Sequence, residues 1–291
     1  MRPELKPFAR RLLPAREDLA AEALAGTVAA ARFVRGTHLR VTAPLLDLAL
    51  SPDPGAGLAT QLLHGEPFTV YETREDGLAW GQSGWDGYVG YVAAAGLGPA
   101  VEGAAPRRIT AIASHVYSRP DIKAPVRAAL PWLAAVEAAG ESGNFLALAG
   151  GGFVPRAHLA PGAGDFIAEA RRLAGTPYLW GGRSAAGIDC SGLVQLALMA
   201  AGHVDVPRDS DMQAALLGAA HDPGAAPEPG DLLFWKGHVG IVSGADLLLH
   251  ANAHHMAVAE EPLGAAIARI AASGGGPVTG RRRPPARPDP A

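Results

Sequence analysis

Residues 187–202, GIDCSGLVQLALMAAG, place the only cysteine of a 291-residue chain in front of an almost wholly apolar run. A run that is apolar on nearly all sides predicts a helix buried inside its own domain. Asp189 is a good N-cap, so Cys190 falls in the first turn of this helix. A thiol there faces the positive end of the helix dipole and unpaired N–H groups, which favour the nucleophilic thiolate and could bind an oxyanion.

Two histidines are candidate partners of this thiol. His238 opens the run HVGIVSG (238–244), and His250 closes the run LLLHA (247–251). A hairpin with a three-residue loop centred on Gly244 would place the two histidines directly opposite each other, about 5 Å apart. One imidazole would then act as the base for the thiol, and the second would orient the first. The alternative is a cysteine that serves only as a small core residue.

A zinc site is the rival use of the histidines. His250, His254 and His255 have spacings of four and five residues, but their flanks are strand-like rather than helical. The chain has no second cysteine and no His-Glu-x-x-His pattern, which are the usual signals of zinc. We therefore expect no metal and no other cofactor.

Charge and composition exclude several classes of partner. Lys and Arg together number 25 and Asp and Glu 28, giving a net charge of −3, which argues against a nucleic-acid or anionic-membrane surface. The first 26 residues contain no apolar segment typical of a secretory signal, and no later stretch reaches the ~18 apolar residues of a membrane helix. We expect a cytoplasmic protein without a nucleic-acid or membrane partner, and its oligomeric state stays open.

The first half of the chain predicts an arm and two small β-domains. Residues 1–36 are expected to form an arm that ends in a helix over REDLAAEALAGTVAA (16–30). Short strand-like runs with turn residues between them then predict a small barrel over 37–102. The segment VTAPLLDLALSPDP (41–54) aligns without gaps with ITAIASHVYSRPDI (109–122), at an offset of 68. A second copy of the same β-domain is therefore expected over 103–161.

The second half predicts an α+β domain over 162–285. A short helix over DFIAEARRLAG (165–175), the buried helix after Cys190 and a helix around 210–217 come first. Four strand-like runs and a closing helix, PLGAAIARI (262–270), follow them, which is the order typical of an α+β domain with an antiparallel sheet. The basic stretch RRRPPARPDPA (281–291) is expected to be a frayed end, with 286–291 as a tail.

Three blocks of this domain resemble the signature of NlpC-type cell-wall cysteine peptidases. They are TPYLWGGRSAAGIDCSGLVQ (176–195), PGDLLFWKGHVGIV (229–242) and LLLHANAHHMAV (247–258). The resemblance implies a papain-like α+β catalytic domain with Cys190 as nucleophile, His238 as general base and His250 as the third, polar member. It also implies that Tyr178 lies beside the oxyanion, and that Asp189 and Ser191 contact the amine end of the substrate.

The repeat before this domain resembles a pair of bacterial SH3-like barrels, so the expected architecture is two SH3-like β-barrels followed by a papain-like α+β domain. That arrangement is similar to the dipeptidyl-peptidase VI group. The resemblance implies cleavage of the γ-D-glutamyl–diamino acid bond in small, free murein peptides that begin with L-Ala. It also implies that the first barrel helps to bind the free α-amine, with Tyr88 as the aromatic contributor. An amidase or acyltransferase, and a non-catalytic protein that binds wall fragments, are the alternatives.

Overall fold

A computed structural model describes residues 8–100, 106–159 and 164–285 of the chain. The chain divides into two compact units, Met1–Pro161 and Gly162–Ala291. The first seven residues of the predicted arm, the predicted boundaries at 102 and 161 and the predicted tail 286–291 lie outside the described residues. Among the described residues, no helix is both long enough and apolar enough to cross a bilayer.

The first unit is built almost wholly from short strands. They form a seven-stranded sheet in the order β5-β4-β8-β7-β6-β3-β9, a five-stranded sheet in the order β12-β11-β16-β15-β14, and the pairs β1-β2 and β10-β13. The elements are α1 (Ala9–Leu12), β1 (Ala20–Ala21), β2 (Phe33–Val34), β3 (Thr37–Val41), β4 (Leu45–Ala49), β5 (Leu58–Leu63), β6 (Pro67–Thr73), β7 (Leu78–Ser83), β8 (Val89–Ala93), β9 (Leu97–Gly98), β10 (Arg107–Arg108), β11 (Ala113–Tyr117), β12 (Val126–Pro131), β13 (Ala135–Val136), β14 (Ala138–Ser142), β15 (Phe145–Leu148) and β16 (Phe153–Pro155).

The 68-residue offset of the sequence recurs in these strands. Strands β4 and β5 reappear at that offset as β11 and β12, with the same lengths and the same antiparallel pairing. A register shift between Leu48 and Ala49 recurs between Val116 and Tyr117. The order β5-β4-β8-β7-β6 matches the order β12-β11-β16-β15-β14. The two sheets are therefore two versions of one strand arrangement.

The predicted helix over 16–30 is wrong. This segment contains β1, a short 3-10 turn (Glu22–Leu24) and the approach to β2, which pairs with β1 in parallel. Leu19 is fully buried and packs with Trp80 and Val89 of the first barrel. Burial of Leu19 outweighs the helix propensity of the alanine-rich stretch, because propensity is a weak preference that tertiary packing overrides.

The second unit combines helices with one six-stranded antiparallel sheet, as the sequence predicted. The strand order is β19-β24-β20-β21-β22-β23. The elements are α2 (Phe166–Arg171), β17 (Arg183–Ser184), β18 (Gly187–Ile188), α3 (Cys190–Ala200), α4 (Ser210–Leu216), β19 (Ala219–His221), β20 (Leu232–Trp235), β21 (His238–Gly244), β22 (Leu247–Asn252), β23 (Ala257–Pro262), α5 (Leu263–Ile270) and β24 (Gly280–Arg283).

The centre of this sheet is buried on both faces. Every residue of β20 and five successive residues of β21 are buried, which explains why both strands are continuous apolar runs in the sequence. Helix α5 packs Leu263, Ala266 and Ile270 against the sheet. Helix α3, buried over most of its length, lies against β21 and β22. This packing brings the N-terminus of α3 to the beginning of β21.

The expectation of a frayed end at 281–291 is wrong for its first three residues. They belong to β24, which lies between β19 and β20 in the sheet. Arg281 and Arg283 both form ion pairs with Asp231, which is fully buried at the start of β20, and Arg283 also pairs with Glu228. The buried carboxylate compensates the basic residues, so this strand is held in the sheet despite its charge.

Candidate active site

Cys190 occupies the first turn of α3, as predicted. Asp189 caps this helix by accepting a hydrogen bond from the N–H of Gly192, at 2.7 Å. The Cys190 side chain is buried, and the backbone N–H groups of Val239 and Ser191 act to lower the pKa of its thiol. Since Val239 directly follows His238, the thiol lies at the start of β21, beside the predicted base.

Asp189 is also one half of a buried ion pair with Arg208, whose side chain is 1% exposed. The guanidinium donates from Nη1 to Oδ1 at 2.9 Å and from Nη2 to Oδ2 at 2.7 Å. Nη1 donates to the hydroxyl of Ser191 as well, at 2.9 Å. The residues on both sides of Cys190 are therefore fixed by one arginine that arrives from the segment between α3 and α4.

The two glycines of the Tyr-Leu-Trp-Gly-Gly block have distinct structural roles. Gly181 has a φ of 76°, a left-handed conformation that favours glycine, and its N–H donates to Oδ2 of Asp189 at 2.8 Å. A Cβ atom on Gly182 would lie 2.4 Å from the carbonyl oxygen of Gly187. Both glycines therefore allow this loop to close against the residues that precede Cys190.

His238 and His250 are in contact, but not in the predicted register. The hairpin places Ile241 opposite Leu249, so His250 lies opposite Gly240 and diagonal to His238. A bulge between Val242 and Gly244 moves the turn away from Gly244, which is why the predicted direct pairing is wrong. Diagonal residues share a face of the sheet, and Nε2 of His238 reaches Nδ1 of His250 at 2.8 Å.

The contact between the histidines continues to a carboxylate and an arginine. Nε2 of His250 lies 2.8 Å from Oε1 of Glu261, at the end of β23. Arg269 of α5 donates to the same oxygen of Glu261. Because an ionised carboxylate only accepts, Nε2 of His250 is its donor, and Nδ1 of His250 accepts from Nε2–H of His238. Nδ1 of His238 is then the unprotonated nitrogen, free to act as a base.

Comparison with known proteins identifies two segments of the chain. Residues 175–268 match the NlpC/P60 family, and residues 48–97 match the bacterial dipeptidyl-peptidase SH3 domain. The second unit is an NlpC/P60 domain. The barrel over 48–97 is an SH3-like domain that precedes it, so the resemblance drawn from the three sequence blocks and the predicted fold class are confirmed.

Curated relatives match mainly over about one third of the chain. The γ-D-glutamyl-L-lysine dipeptidyl-peptidase of Bacillus subtilis is 41% identical over 98 residues, which is 31% of this chain and 32% of that protein. Dipeptidyl-peptidase 6 of Lysinibacillus sphaericus is 40% identical over 79 residues, which is 26% of this chain and 28% of that protein. The probable endopeptidase NlpC of Escherichia coli is 35% identical over 85 residues, 27% of this chain and 54% of that protein. The matches thus span from about a quarter to about half of these relatives.

A solved structure shares the fold over most of the chain. The crystal structure of an NlpC/P60 family protein from Bacillus cereus covers 87% of this chain and 100% of its own, with a TM-score of 0.69 and 19% identity. At this level of identity the likeness establishes the fold alone.

The electrostatics of the NlpC/P60 site differ from the sequence expectation for the thiol. Burial raises the pKa of Cys190 to about 12, and the charge of Asp189 adds to this rise, while the backbone N–H groups and Arg208 oppose it. The N–H groups at the helix terminus thus act in the predicted direction, but burial outweighs them, and the net shift of the thiol pKa is upward in the site without substrate. Burial also lowers the pKa of His238, with further contributions from His250 and Arg269. Both shifts favour the neutral forms, a thiol and an imidazole, in the site without substrate.

Tyr178 lies next to the segment that carries the nucleophile. It forms a parallel bridge with Ile188, two residues before Cys190, and its N–H donates to the carbonyl of Met256. Burial, followed by the charges of Cys190 and Asp189, raises the pKa of Tyr178 above its usual value. Its hydroxyl therefore stays protonated and able to donate, and its role at the oxyanion stays a prediction.

The remaining predicted contacts with substrate stay predictions, and the structure gives three of those side chains other surroundings. Asp189 and Ser191 are buried and bonded to Arg208. Tyr88 belongs to the first unit and is 3% exposed, so little of its ring is open to a ligand. Sequence reasoning missed Arg208, Glu261 and Arg269, because all three lie outside the three motif blocks and their contacts depend on the folded structure. Among the described residues, no cluster of three or more His, Cys, Asp or Glu side chains could hold a metal ion.

Proposed function

We propose that this chain is a cysteine peptidase that hydrolyses the γ-D-glutamyl–diamino acid bond of free murein peptides with an N-terminal L-Ala. The observation that carries the proposal is a buried Cys190 at a helix N-terminus, beside the start of β21, where Nε2 of His238 lies 2.8 Å from Nδ1 of His250. The name of the Bacillus subtilis relative, a γ-D-glutamyl-L-lysine dipeptidyl-peptidase, supports the choice of bond.

In the acylation step, Nδ1 of His238 takes the proton of the Cys190 thiol while the sulfur attacks the γ-carbonyl carbon of D-Glu. The developing oxyanion is held by the backbone N–H of Cys190, together with the hydroxyl of Tyr178. His238 then gives its proton to the amine of the diamino acid as the C–N bond breaks. The products of this half-reaction are the free diamino acid portion and a thioester between Cys190 and the L-Ala-D-Glu dipeptide.

In the deacylation step, His238 removes a proton from a water molecule, and the hydroxide formed attacks the thioester carbonyl. The C–S bond breaks, the sulfur recovers a proton from His238, and L-Ala-D-Glu leaves with a γ-carboxylate. Throughout, His250 keeps Nδ1 of His238 directed at the thiol by accepting from its Nε2–H. The cycle needs no cofactor.

We further propose that the substrate is a released peptide rather than the polymeric wall. The matched SH3 domain is of the bacterial dipeptidyl-peptidase type, and two relatives carry dipeptidyl-peptidase names. A dipeptidyl-peptidase acts at a free N-terminus, so a site of this kind requires a free α-amine two residues before the scissile bond. Action in the cytoplasm, during recycling of murein peptides, is part of the same proposal, and cell fractionation tests it.

The direct test is incubation of the full chain with L-Ala-γ-D-Glu-diaminopimelate, and separately with the L-Lys analogue, followed by mass spectrometry. Release of L-Ala-D-Glu is expected, and Cys190→Ser is expected to release none. Release of ammonia, or transfer of the acyl group to an added amine, would instead indicate an amidase or an acyltransferase. Tight binding of the peptide without turnover would indicate a non-catalytic binding protein.

A second test addresses the requirement for the free amine. Acetylation of the L-Ala amine is expected to lower kcat/KM by about 30-fold, which corresponds to ~2 kcal/mol for a lost hydrogen bond to a charged group. Equal cleavage of both peptides, or equally fast cleavage of intact sacculi, would contradict the released-peptide substrate.

A further inference from the structure

The hydrogen-bonded chain behind His238 does not end at His250. It continues through Glu261 to Arg269, which come from β23 and α5 respectively. In the register of the sheet, Ala259 lies opposite His250, and Glu261 is therefore its diagonal neighbour on the same face. The carboxylate reaches the imidazole from the strand on the far side of β22, away from His238 and Cys190.

Burial makes the partner of His250 important. The side chain of His250 is completely buried, that of Glu261 is 14% exposed and that of Arg269 is 26% exposed. A neutral imidazole can exist as either of two tautomers, and the hydrogen bond made by one nitrogen decides the state of the other. With little access to water, His250 takes the tautomer that its protein partners select.

The charge of Arg269 helps to keep the Glu261 carboxylate ionised. Although burial acts to raise the pKa of Glu261, the hydrogen bond from His250 and the charge of Arg269 lower it below its ordinary value. An ionised carboxylate accepts but cannot donate, so Nε2 of His250 must carry the proton. Nδ1 of His250 is then an acceptor and can pair only with a protonated Nε2 of His238.

We propose that Glu261, held by Arg269, is a positioning residue that fixes both His250 and His238 as Nε2–H tautomers and so leaves Nδ1 of His238 unprotonated toward Cys190. This inference rests on the proposed peptidase function for its kinetic consequence, but its structural content concerns the histidines alone. The competing explanation is an ion pair that merely anchors α5 to the sheet.

Substitutions at Glu261 and at Arg269 separate these explanations. Glu261→Ala removes the acceptor, while Glu261→Gln keeps an amide oxygen that can still accept from Nε2–H of His250. Arg269→Gln breaks the ion pair but leaves the carboxylate against His250. Glu260→Ala is the matched control, since Glu260 is the preceding residue and forms a comparable ion pair with Arg171.

The experiment records long-range ¹H–¹⁵N spectra of full-length protein labelled at histidine, which report the tautomer of each ring, alongside kcat and KM. We expect Nε2–H tautomers for both histidines in the wild type, in Glu261→Gln and in Glu260→Ala. In Glu261→Ala we expect an Nδ1–H population at His250 and a fall in kcat of about tenfold or more with little change in KM. The expected fall in kcat is smaller than the roughly 10⁴-fold loss caused by changing the orienting acid of a Ser-His-Asp triad, because Glu261 acts on His238 only through His250.

Two results would overturn the inference. One is that Glu261→Ala keeps the wild-type tautomers and kcat. The other is that Arg269→Gln disturbs the tautomers and kcat as much as Glu261→Ala does, which is expected of a mere anchor for α5. If Glu261→Ala fails to fold, the other proteins still decide. An Nδ1–H tautomer in Glu261→Gln, or the lack of the Nε2–H tautomers in the wild type, would contradict the inference. Because the spectra need no turnover, an inactive wild type would contradict the proposed function without affecting this readout.

Discussion

Removal of Arg208 is expected to destabilise the second unit strongly, because it breaks the buried ion pair beside the nucleophile. In Arg208→Met the apolar stem is kept, but Asp189 loses two charged hydrogen bonds, of 2.7 and 2.9 Å. Its carboxylate stays buried with only the N–H groups of Gly181 and Gly192 and the Ser191 hydroxyl as donors. Removing one partner of a buried pair costs about 3–5 kcal/mol.

The expected loss is measurable by calorimetry or by circular dichroism during heating. At roughly 3 °C per kcal/mol for a unit of this size, the Tm of the second unit should fall by about 10–15 °C. The uncompensated charge of Asp189 also raises the pKa of the Cys190 thiol further, since Arg208 at present opposes that rise. We therefore expect a lower kcat in Arg208→Met even at temperatures where the variant is folded.

Two comparisons show whether the ion pair is responsible. Arg171→Met breaks the more exposed pair with Glu260, which should cost about 1 kcal/mol or less. In the double variant Asp189→Asn/Arg208→Met no charge is left uncompensated, and asparagine still caps α3, so part of the lost stability should return. A Tm of Arg208→Met within about 3 °C of the wild type, or a loss no greater than that of Arg171→Met, would refute this reasoning.

Three further predictions concern the thiol and its histidines. Cys190→Ser should keep the wild-type Tm and lose essentially all turnover, because a hydroxyl is far less acidic than a thiol; activity near the wild-type level would remove Cys190 from the mechanism. His238→Ala should lower kcat by roughly 10²–10⁴-fold, and His250→Ala should lower it by less. His250→Asn or His250→Gln should recover part of the kcat lost in His250→Ala. A larger loss of kcat in His250→Ala than in His238→Ala would contradict the assigned roles. The rate of alkylation of Cys190 by iodoacetamide should rise about tenfold per pH unit from pH 7 to 9, because a pKa of about 12 leaves the thiol protonated over this range. An alkylation rate that is already constant from pH 5 upward would instead show a thiolate–imidazolium pair.

Continuous apolar runs made the centre of the second unit predictable from sequence. Helix α3 and strands β20 to β22 are each buried enough for local composition to specify their type. The alanine-rich segment after Arg16 and the basic strand β24 were misjudged for the opposite reason. Their conformations depend on distant partners: the barrel core around Leu19 and the buried carboxylate of Asp231, respectively.

The candidate site divides in the same way. Cys190 and its two histidines could be found because each occupies the end of a recognisable element. The register of the hairpin could not, because one bulge between Val242 and Gly244 shifts the pairing without any strong sequence signal. The net shift of the thiol pKa could not be predicted either. The helix terminus is visible in sequence, whereas the depth of burial that outweighs it is a property of the assembled unit.

Desolvation links the state of the thiol to that of its base. The same burial that raises the pKa of Cys190 lowers the pKa of His238. Under the proposed mechanism, charge therefore separates only when the sulfur attacks. Arg269 compensates the charge of Glu261, so the residues behind His250 carry no net negative charge. In the proposed mechanism, the imidazolium of His238 is therefore stabilised by its hydrogen bond to His250 rather than by a nearby negative charge. Proton transfer in concert with C–S bond formation avoids a free thiolate in this dry environment. Under the proposed mechanism, the pKa of the Cys190 thiol without substrate therefore does not set the pH range in which the peptidase is active.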